Sequence, residues 1–278
     1  MGDNILESVE KPKELHMFSE EDVRSGLVRK DVLVQVLEST VSTNRDAKEA
    51  AENGAPHGSV IASGNQTGGR GRRGKSFFSP AGGLYLSVIV RPGSNLKDGV
   101  FLTTAAAVAV CRAVHEVCGL ETDIKWINDI YRDGRKICGI LAEAGADKST
   151  GKLSYVVVGI GVNLWIEPAE LPEELKSIVG CIADSGSEAE KIDRSRLTAS
   201  IVNHLLEEAE ADKLSDYYIE RNIIPGHIVE IREGDRVRSA FAESIEPDGS
   251  LLVKEEDGTE KRLFSGEVSL RIIPQDQE

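Results

Sequence analysis

The stretch Gln66-Thr67-Gly68-Gly69-Arg70-Gly71-Arg72-Arg73-Gly74-Lys75-Ser76 limits the fold of this chain more than any other. Its glycines oppose a helix, and the cations between them oppose a buried strand. It is therefore a loop. It lies between two short apolar runs, Gly58 to Ser63 and Gly83 to Val90, that read as strands. Four cations fall within Arg70 to Lys75, in a chain whose net charge is −14. Glycines let the backbone approach a ligand and expose its N–H groups, and arginine forks match phosphate oxygens in pairs. The ligand expected here is a polyphosphate or an acyl phosphate.

The same stretch satisfies a P-loop spacing, Gly69-x-x-x-x-Gly74-Lys75-Ser76. A P-loop has to open a helix whose N-terminus holds the phosphates. The residues that follow are Phe77-Phe78-Ser79-Pro80-Ala81-Gly82-Gly83, and Pro80 with two glycines opposes a helix there. A nucleotide hydrolase of the P-loop class is therefore not expected.

Around this loop the chain alternates short strands and helices. Val32 to Leu37 reads as a strand, and Ser42, Thr43 and Asn44 offer cap oxygens to a helix that stops near Gly54. Asp98 to Cys118 reads as a core helix, because Ala105 to Val110 is too apolar for a surface face. Thr122 to Trp126, Ile130-Tyr131, Ile137 to Glu143 and Leu153 to Val162 read as strands, with a hairpin turn at Asp133-Gly134. Asp193 caps a helix predicted to run to about Asn222. Pro225-Gly226 then breaks the chain, and five short strands with Asp248-Gly249 and Asp257-Gly258 turns read as a small β-barrel. The division expected is an N-terminal extension over 1–30, a main α+β region over 31–222 and a barrel over 223–278.

Several function classes are disfavoured. A net charge of −14 makes a poor general binder of nucleic acid, whose affinity rests on neutralising phosphates. No apolar run reaches the roughly 18 residues of a membrane span, and the N-terminus is polar rather than signal-like. Cys111, Cys118, Cys138 and Cys181 are not spaced as metal ligands and are expected to be buried, reduced thiols of a cytoplasmic protein. Neither H-E-x-x-H nor G-x-S-x-G occurs.

Two further constellations carry chemistry. In Lys125-Trp126-Ile127-Asn128-Asp129, read as a continuing strand, Lys125, Ile127 and Asp129 share one face, and a lysine ending an apolar strand calls for an anion or for an exposed sheet edge. In Gly159-Ile160-Gly161-Val162-Asn163, glycines within a strand mark close approach by a ligand or another backbone.

Taken together, these pieces resemble the biotin protein ligases. Ser42-Thr43-Asn44 resembles that family's S-T-N motif, and Gln66 to Ser76 its Q-x-x-G-R-G-R-x-G loop. Lys125 to Asp129 resembles K-W-P-N-D, Lys136 to Glu143 resembles K-x-x-G-I-L-x-E, and Gly159 to Asn163 resembles G-x-G-x-N. Gly266 to Arg271 resembles the end of the family's C-terminal barrel. Ile127 departs from the usual proline, and Phe77 stands where tryptophan is common.

The resemblance implies an α+β fold of the class II synthetase-like biotin/lipoate ligase type, a mixed sheet with packed helices, followed by an SH3-like barrel. It implies activation of biotin by ATP, with Mg²⁺, to biotinyl-5′-AMP. Biotin then passes to a lysine of a biotin carboxyl carrier protein. Lys125, Arg70 and Arg72 are the implied catalytic cations. Ser42, Thr43, Asn44, Gln66, Arg70, Gly71, Arg72 and Lys125 are implied for biotin, and Gly69, Arg73, Gly74, Asn128 and Asn163 for ATP. Asp129 is implied as a metal ligand. The expectation also includes no nucleic acid or membrane partner, and homodimerisation is carried over from the family. Alternatives are a lipoate or related acyl ligase and a non-catalytic biotin-dependent repressor, which the short stretch before residue 31 disfavours.

Overall fold

Short β-branched runs separated by turn signals build two sheets. The computed structural model describes residues 18–91, 99–147, 150–233, 236–264 and 269–272. The expected helix start at Asp98, the Gly266-Glu267-Val268 stretch of the barrel motif and residues 1–17 of the extension lie outside them.

In chain order the first elements are α1 (Glu20–Gly26), β1 (Val34–Leu37), α2 (Thr43–Glu52), β2 (Val60–Ser63), β3 (Leu84–Val90) and α3 (Gly99–Cys118). They continue as β4 (Asp123–Lys125), β5 (Asp129–Arg132), β6 (Arg135–Ala146), β7 (Leu153–Val162), α4 (Gly186–Ala189), α5 (Arg194–Glu210) and α6 (Asp216–Glu220). The first sheet has the strand order β1-β2-β3-β7-β6-β5-β4. Its β1–β2 pair is parallel and the others are antiparallel, so the sheet is mixed, as expected. Helices α3 and α5 close one face. Ala47 and Ala51 of α2 pack on the other, against Ile61, Ile89, Tyr155 and Val157.

Register decides what α2 looks down upon. Tyr85, Gly161 and Gly139 are cross-strand neighbours, and so are Ser87, Gly159 and Leu141, and Ile89, Val157 and Glu143. Side chains alternate along each strand, so these rows share the face that carries α2.

Three expectations about elements are corrected. First, Lys125 to Asp129 is not a continuous strand. β4 ends at Lys125, residues 126–128 turn through a cis Trp126–Ile127 peptide, and β5 begins at Asp129. Lys125 and Asp129 thus face each other across the hairpin. Second, the helix from Asp193 stops at Glu210 and resumes as α6. Glu207, Glu208 and Glu210 crowd its carbonyl end with no basic residue in the last turn, which opposes the helix dipole, and buried Leu214 pins the connection. Third, α3 does reach the length and hydropathy of a membrane span, contrary to expectation. Here it is a core helix, with Leu102 to Cys111 and Ala113-Val114 buried.

The second sheet follows Gly226 and contains β8 (Ile228–Glu233), β9 (Arg236–Ile245), β10 (Leu251–Lys254), β11 (Glu260–Leu263) and β12 (Ser269–Ile272). Its strands are antiparallel in the order β11-β10-β9-β8-β12, consistent with a small SH3-like unit. Gly249 and Gly258 adopt φ of +80° and +84° in the two expected turns. The sheets meet at the β4–β5 turn, where buried Trp126 Nε1 donates to Gly249 O at 2.9 Å.

Candidate active site

The glycine–arginine loop is a small hairpin. Arg73 (φ 57°) and Gly74 (φ 72°) form its tip, in the left-handed region that two-residue hairpin turns require. Gly71 N donates to Lys75 O at 2.7 Å, and Phe77 N donates to Gly69 O at 3.0 Å. No helix follows Lys75, so the P-loop spacing lacks the structure it needs. Arg72 ties this flap to the β4–β5 turn, donating to Asn128 Oδ1 at 2.9 Å. Asn128 Nδ2 donates to Ile140 O at 3.0 Å, so both ends of that amide hold protein.

Under the flap lies a cavity of about 270 Å³. It brings together Ser42, Thr43, Asn44, Gln66, Arg70, Gly71, Arg72, Arg73, Lys125, Asn128 and Asp129 of the sequence-predicted residues. Gly69, Gly74 and Asn163 do not line it. A side chain at Gly69 would overlap Ser79 Oγ and Phe77 O, so this glycine closes the hairpin. Gly74 is at the tip. Asn163 is buried and donates to Gly180 O at 3.1 Å, pinning the loop after β7. The strand glycines answer to protein as well. A Cβ at Gly159 would overlap the Asn44 amide, and one at Gly161 the Phe77 ring.

One half of the cavity is cationic. Arg70, Arg72, Arg73, Lys75, Lys125 and Lys136 line it with a single carboxylate, Asp129. Lys125 is half-buried on an edge strand. Its Nζ sits 5.3 Å from the Tyr131 ring centroid and donates to the phenol oxygen at 3.4 Å. Burial, helped by Asp129, pushes the Tyr131 phenol up to about 12, so it stays neutral at pH 7. Burial also lowers the pKa of the Arg72 guanidinium, against the opposing pull of Asp129. Lys136 Nζ lies 2.7 Å from Asp129 Oδ1 and 5.8 Å from the Phe77 centroid. No donor is aligned on that oxygen as a hydrogen bond, so the contact is an ion pair.

Asp129 is thus engaged by Lys136 and faces Lys125, a poor arrangement for a metal ligand. Among the described residues no three His, Cys, Asp or Glu side chains gather as metal ligands. The residues present do not build a resident Mg²⁺ site.

The other half is lined by Ser42, Thr43, Asn44 and Gln66, and a relay of polar side chains behind that wall holds the last three. Lys48 Nζ donates to Glu143 Oε1 at 2.6 Å, and Asn44 Nδ2 to Glu143 Oε2 at 2.8 Å. Ser87 Oγ lies 2.6 Å from Asn44 Oδ1 and 2.8 Å from Thr43 Oγ1. Thr43 Oγ1 in turn lies 3.2 Å from Gln66 Oε1, which accepts the Thr43 backbone N–H at 2.9 Å. This last bond caps α2 from across the fold. Ser42, expected to cap it, makes no side-chain bond to the helix. Gln66 Nε2 donates to Ser79 Oγ at 3.1 Å. Burial raises the Glu143 pKa, but bonds from Lys48 and Asn44 and the charges of Lys48 and Arg70 outweigh it, so the net shift is downward.

Sequence reasoning did not assign Lys136, Phe77, Lys48, Ser87 or Glu143 to the site. Lys136 and Glu143 stood within the Lys136-to-Glu143 motif, and that was the available signal. Ser87 and Lys48 carry none, because only the register of β3 against β7 and the turn of α2 bring them in. All four cysteines are free; Cys111 and Cys138 are buried as expected, whereas Cys118 and Cys181 are half-buried.

Comparison with known proteins agrees with this architecture. The model of the biotin/lipoate A/B protein ligase family matches residues 35–163, and that of the biotin protein ligase C-terminal domain matches 226–271. The bifunctional ligase/repressor BirA of Bacillus subtilis is 33% identical over 94% of this chain and 81% of its own length. The biotin–[acetyl-CoA-carboxylase] ligase of Mycobacterium tuberculosis is 35% identical over 65% of this chain and 64% of its own. Among solved structures, the biotin protein ligase of Aquifex aeolicus in complex with biotin and ATP superimposes with a TM-score of 0.70 at 25% identity, covering 87% of this chain and 99% of that one.

Proposed function

We infer that this chain, which belongs to the biotin/lipoate A/B protein ligase family, is an ATP-dependent biotin protein ligase. The observation that carries the reading is the division of one cavity into a cationic half under the arginine flap and a neutral hydrogen-bonding half at the N-terminus of α2. The first suits a carboxylate and a polyphosphate, and the second a polar ring. We read the chain as a ligase unit over 31–222 and a barrel unit over 223–278.

In the first step a biotin carboxylate oxygen attacks the α-phosphorus of ATP, the bond to the bridging oxygen breaks, and pyrophosphate leaves. Two anions must meet, and charge builds on the α-phosphate. Fixed cations in a partly dry site stabilise that charge without reorganising. Lys125 and Arg70 are assigned this task, and Arg72, bonded to Asn128, is assigned to holding the flap over the adenylate. Mg²⁺ enters with ATP as part of the substrate, held by phosphate oxygens rather than by a protein cage. Ser42, Thr43, Asn44, Gln66 and the Gly71 backbone are assigned to biotin, and Arg73 and Asn128 to the nucleotide side. In the second step a lysine amine of a biotin carboxyl carrier attacks the acyl carbon. AMP leaves, and the amine loses a proton. The flap shields the anhydride from water between steps.

A nucleic-acid partner is not part of this reading, because the net charge of −14 repels phosphate outside the flap. Isotope exchange between pyrophosphate and ATP tests the first step. Exchange that requires biotin supports the reading, and exchange or ATP hydrolysis indifferent to biotin contradicts it.

A further inference from the structure

We propose that Tyr131 is a positioning residue, whose neutral ring and phenol oxygen hold the Lys125 ammonium at the cavity without cancelling its charge. The inference rests on the ligase reading and deepens it, by naming what aims one of the two cations assigned to the α-phosphate.

Register places the ring. β4 and β5 pair Asp123 with Tyr131 and Lys125 with Asp129. Side chains alternate along a strand, so these four project from one face of the hairpin. Tyr131 is then the diagonal neighbour of Lys125, a separation that a long side chain spans. Lys125 spans it, with Nζ 5.3 Å from the ring centroid and 3.4 Å from the phenol oxygen.

A bulge in the next strand draws the nearby carboxylate elsewhere. The pairing of β5 with β6 slips, from Ile130 opposite Cys138 to Tyr131 opposite Lys136. Ile137 is the extra residue, and both it and Cys138 are buried in the core. Bulges re-aim side chains beside active sites, and this one turns Lys136 onto the face that carries Asp129. Lys136 Nζ lies 2.7 Å from Asp129 Oδ1. The one carboxylate among the described residues that line the cavity is thus engaged by Lys136, although its cross-strand partner is Lys125.

The difference between a carboxylate and a ring matters for the chemistry. A carboxylate bonded to Lys125 would compete with the incoming anions. A ring attracts an ammonium through its quadrupole, and a phenol oxygen attracts it through lone pairs; neither carries a charge that a substrate has to displace. Burial pushes the Tyr131 phenol up to about 12, so it keeps its proton and stays neutral at pH 7. Lysine has a flexible four-carbon stem. Held by Tyr131, its ammonium is in place before charge builds on the phosphate, as preorganised stabilisation requires.

The test is a double-mutant cycle, read as the kcat of biotin-dependent pyrophosphate exchange. Tyr131→Leu and Tyr131→Gln are each compared in the wild-type and Lys125→Ala backgrounds, with thermal melting as a check on folding. The site is half-buried on an edge hairpin, so if one replacement misfolds the other decides. Each is expected to lose about tenfold in the wild-type background and less than about twofold once Lys125 is gone. Tyr131→Phe, which keeps the ring, is expected to stay within about threefold of the wild type. A merely structural role would cost the same in both backgrounds, and that result overturns the proposal. So do a wild-type rate in the Leu and Gln variants and a Phe variant as slow as they are. Exchange indifferent to biotin in the wild type would overturn the ligase reading, whereas biotin-dependent exchange that ignores Tyr131 overturns this inference alone.

Discussion

Lys125 ends an edge strand with its ammonium over the Tyr131 ring, opposite Asp129 and in the cavity that the flap arginines also line. If it stabilises charge on the α-phosphate, Lys125→Ala loses about 3 kcal/mol or more of transition-state stabilisation, about a hundredfold in biotin-dependent exchange. A variant that exchanges at the wild-type rate would remove Lys125 from the mechanism. Arg72 belongs to the flap, and its bond to Asn128 holds the flap down. Arg72→Gly is expected to form the adenylate and release it early, so that lysines of unrelated proteins become labelled; label confined to the carrier would contradict this. Lys75 is exposed beyond the hairpin tip, and Lys75→Ala is expected to keep most activity where Arg70→Ala does not. The pH response follows from Glu143. Its pKa is lowered in the fold, so its contribution is complete above the ordinary carboxylate range and is lost only as pH falls through its own lower value. Affinity for biotinamide, which lacks biotin's titrating carboxylate, should stay level from neutral pH down through the ordinary range before it declines.

The strands and helices place these side chains through close contacts that tolerate little change. Gly159 lies beneath the Asn44 amide, and a methyl group there would overlap it. Gly159→Ala should cost about 1–3 kcal/mol in urea unfolding and weaken biotin binding, because Asn44 must shift. Tyr218 Oη donates to Ile127 O at 3.0 Å within the core, fixing the turn that carries Lys125 and Asn128. Much of this layout was legible in the sequence. The β-branched runs, the Asp133-Gly134 hairpin and the five strands after Pro225 follow from local pattern, because local pattern is what forms them. The Lys125-to-Asp129 turn was not legible, since alternation cannot distinguish a strand from two strands joined by three residues. The purpose of Gly159 and Gly161 was not legible either. A strand glycine marks close approach, but only the register and α2 reveal that Asn44 and Phe77 are what approach. The relay from Lys48 to Gln66 joins four segments distant in sequence, and no spacing rule reaches that far.

At the scale of the whole molecule, charge is sorted. The chain carries −14, yet six cations and one carboxylate line the cavity. The surrounding negative charge repels stray polyanions, and the cavity collects the one that fits. The second sheet reaches this cavity through Trp126, which lines it and whose N–H donates to Gly249 O. Trp126→Phe keeps the ring and loses that bond. It should cost about 1–2 kcal/mol in stability and slow adenylate formation, whereas a change in stability alone would mean that the barrel does not steady the turn. The central claim is that this cavity joins biotin to a carrier lysine at the expense of ATP. Intact-mass spectrometry of a biotin carboxyl carrier domain incubated with the protein, biotin and ATP tests it most directly. The account predicts a mass gain of one biotin on one lysine, requiring both small molecules. A carrier left unmodified while ATP is hydrolysed without biotin, and hydrolysis lost in Lys75→Ala, would contradict it.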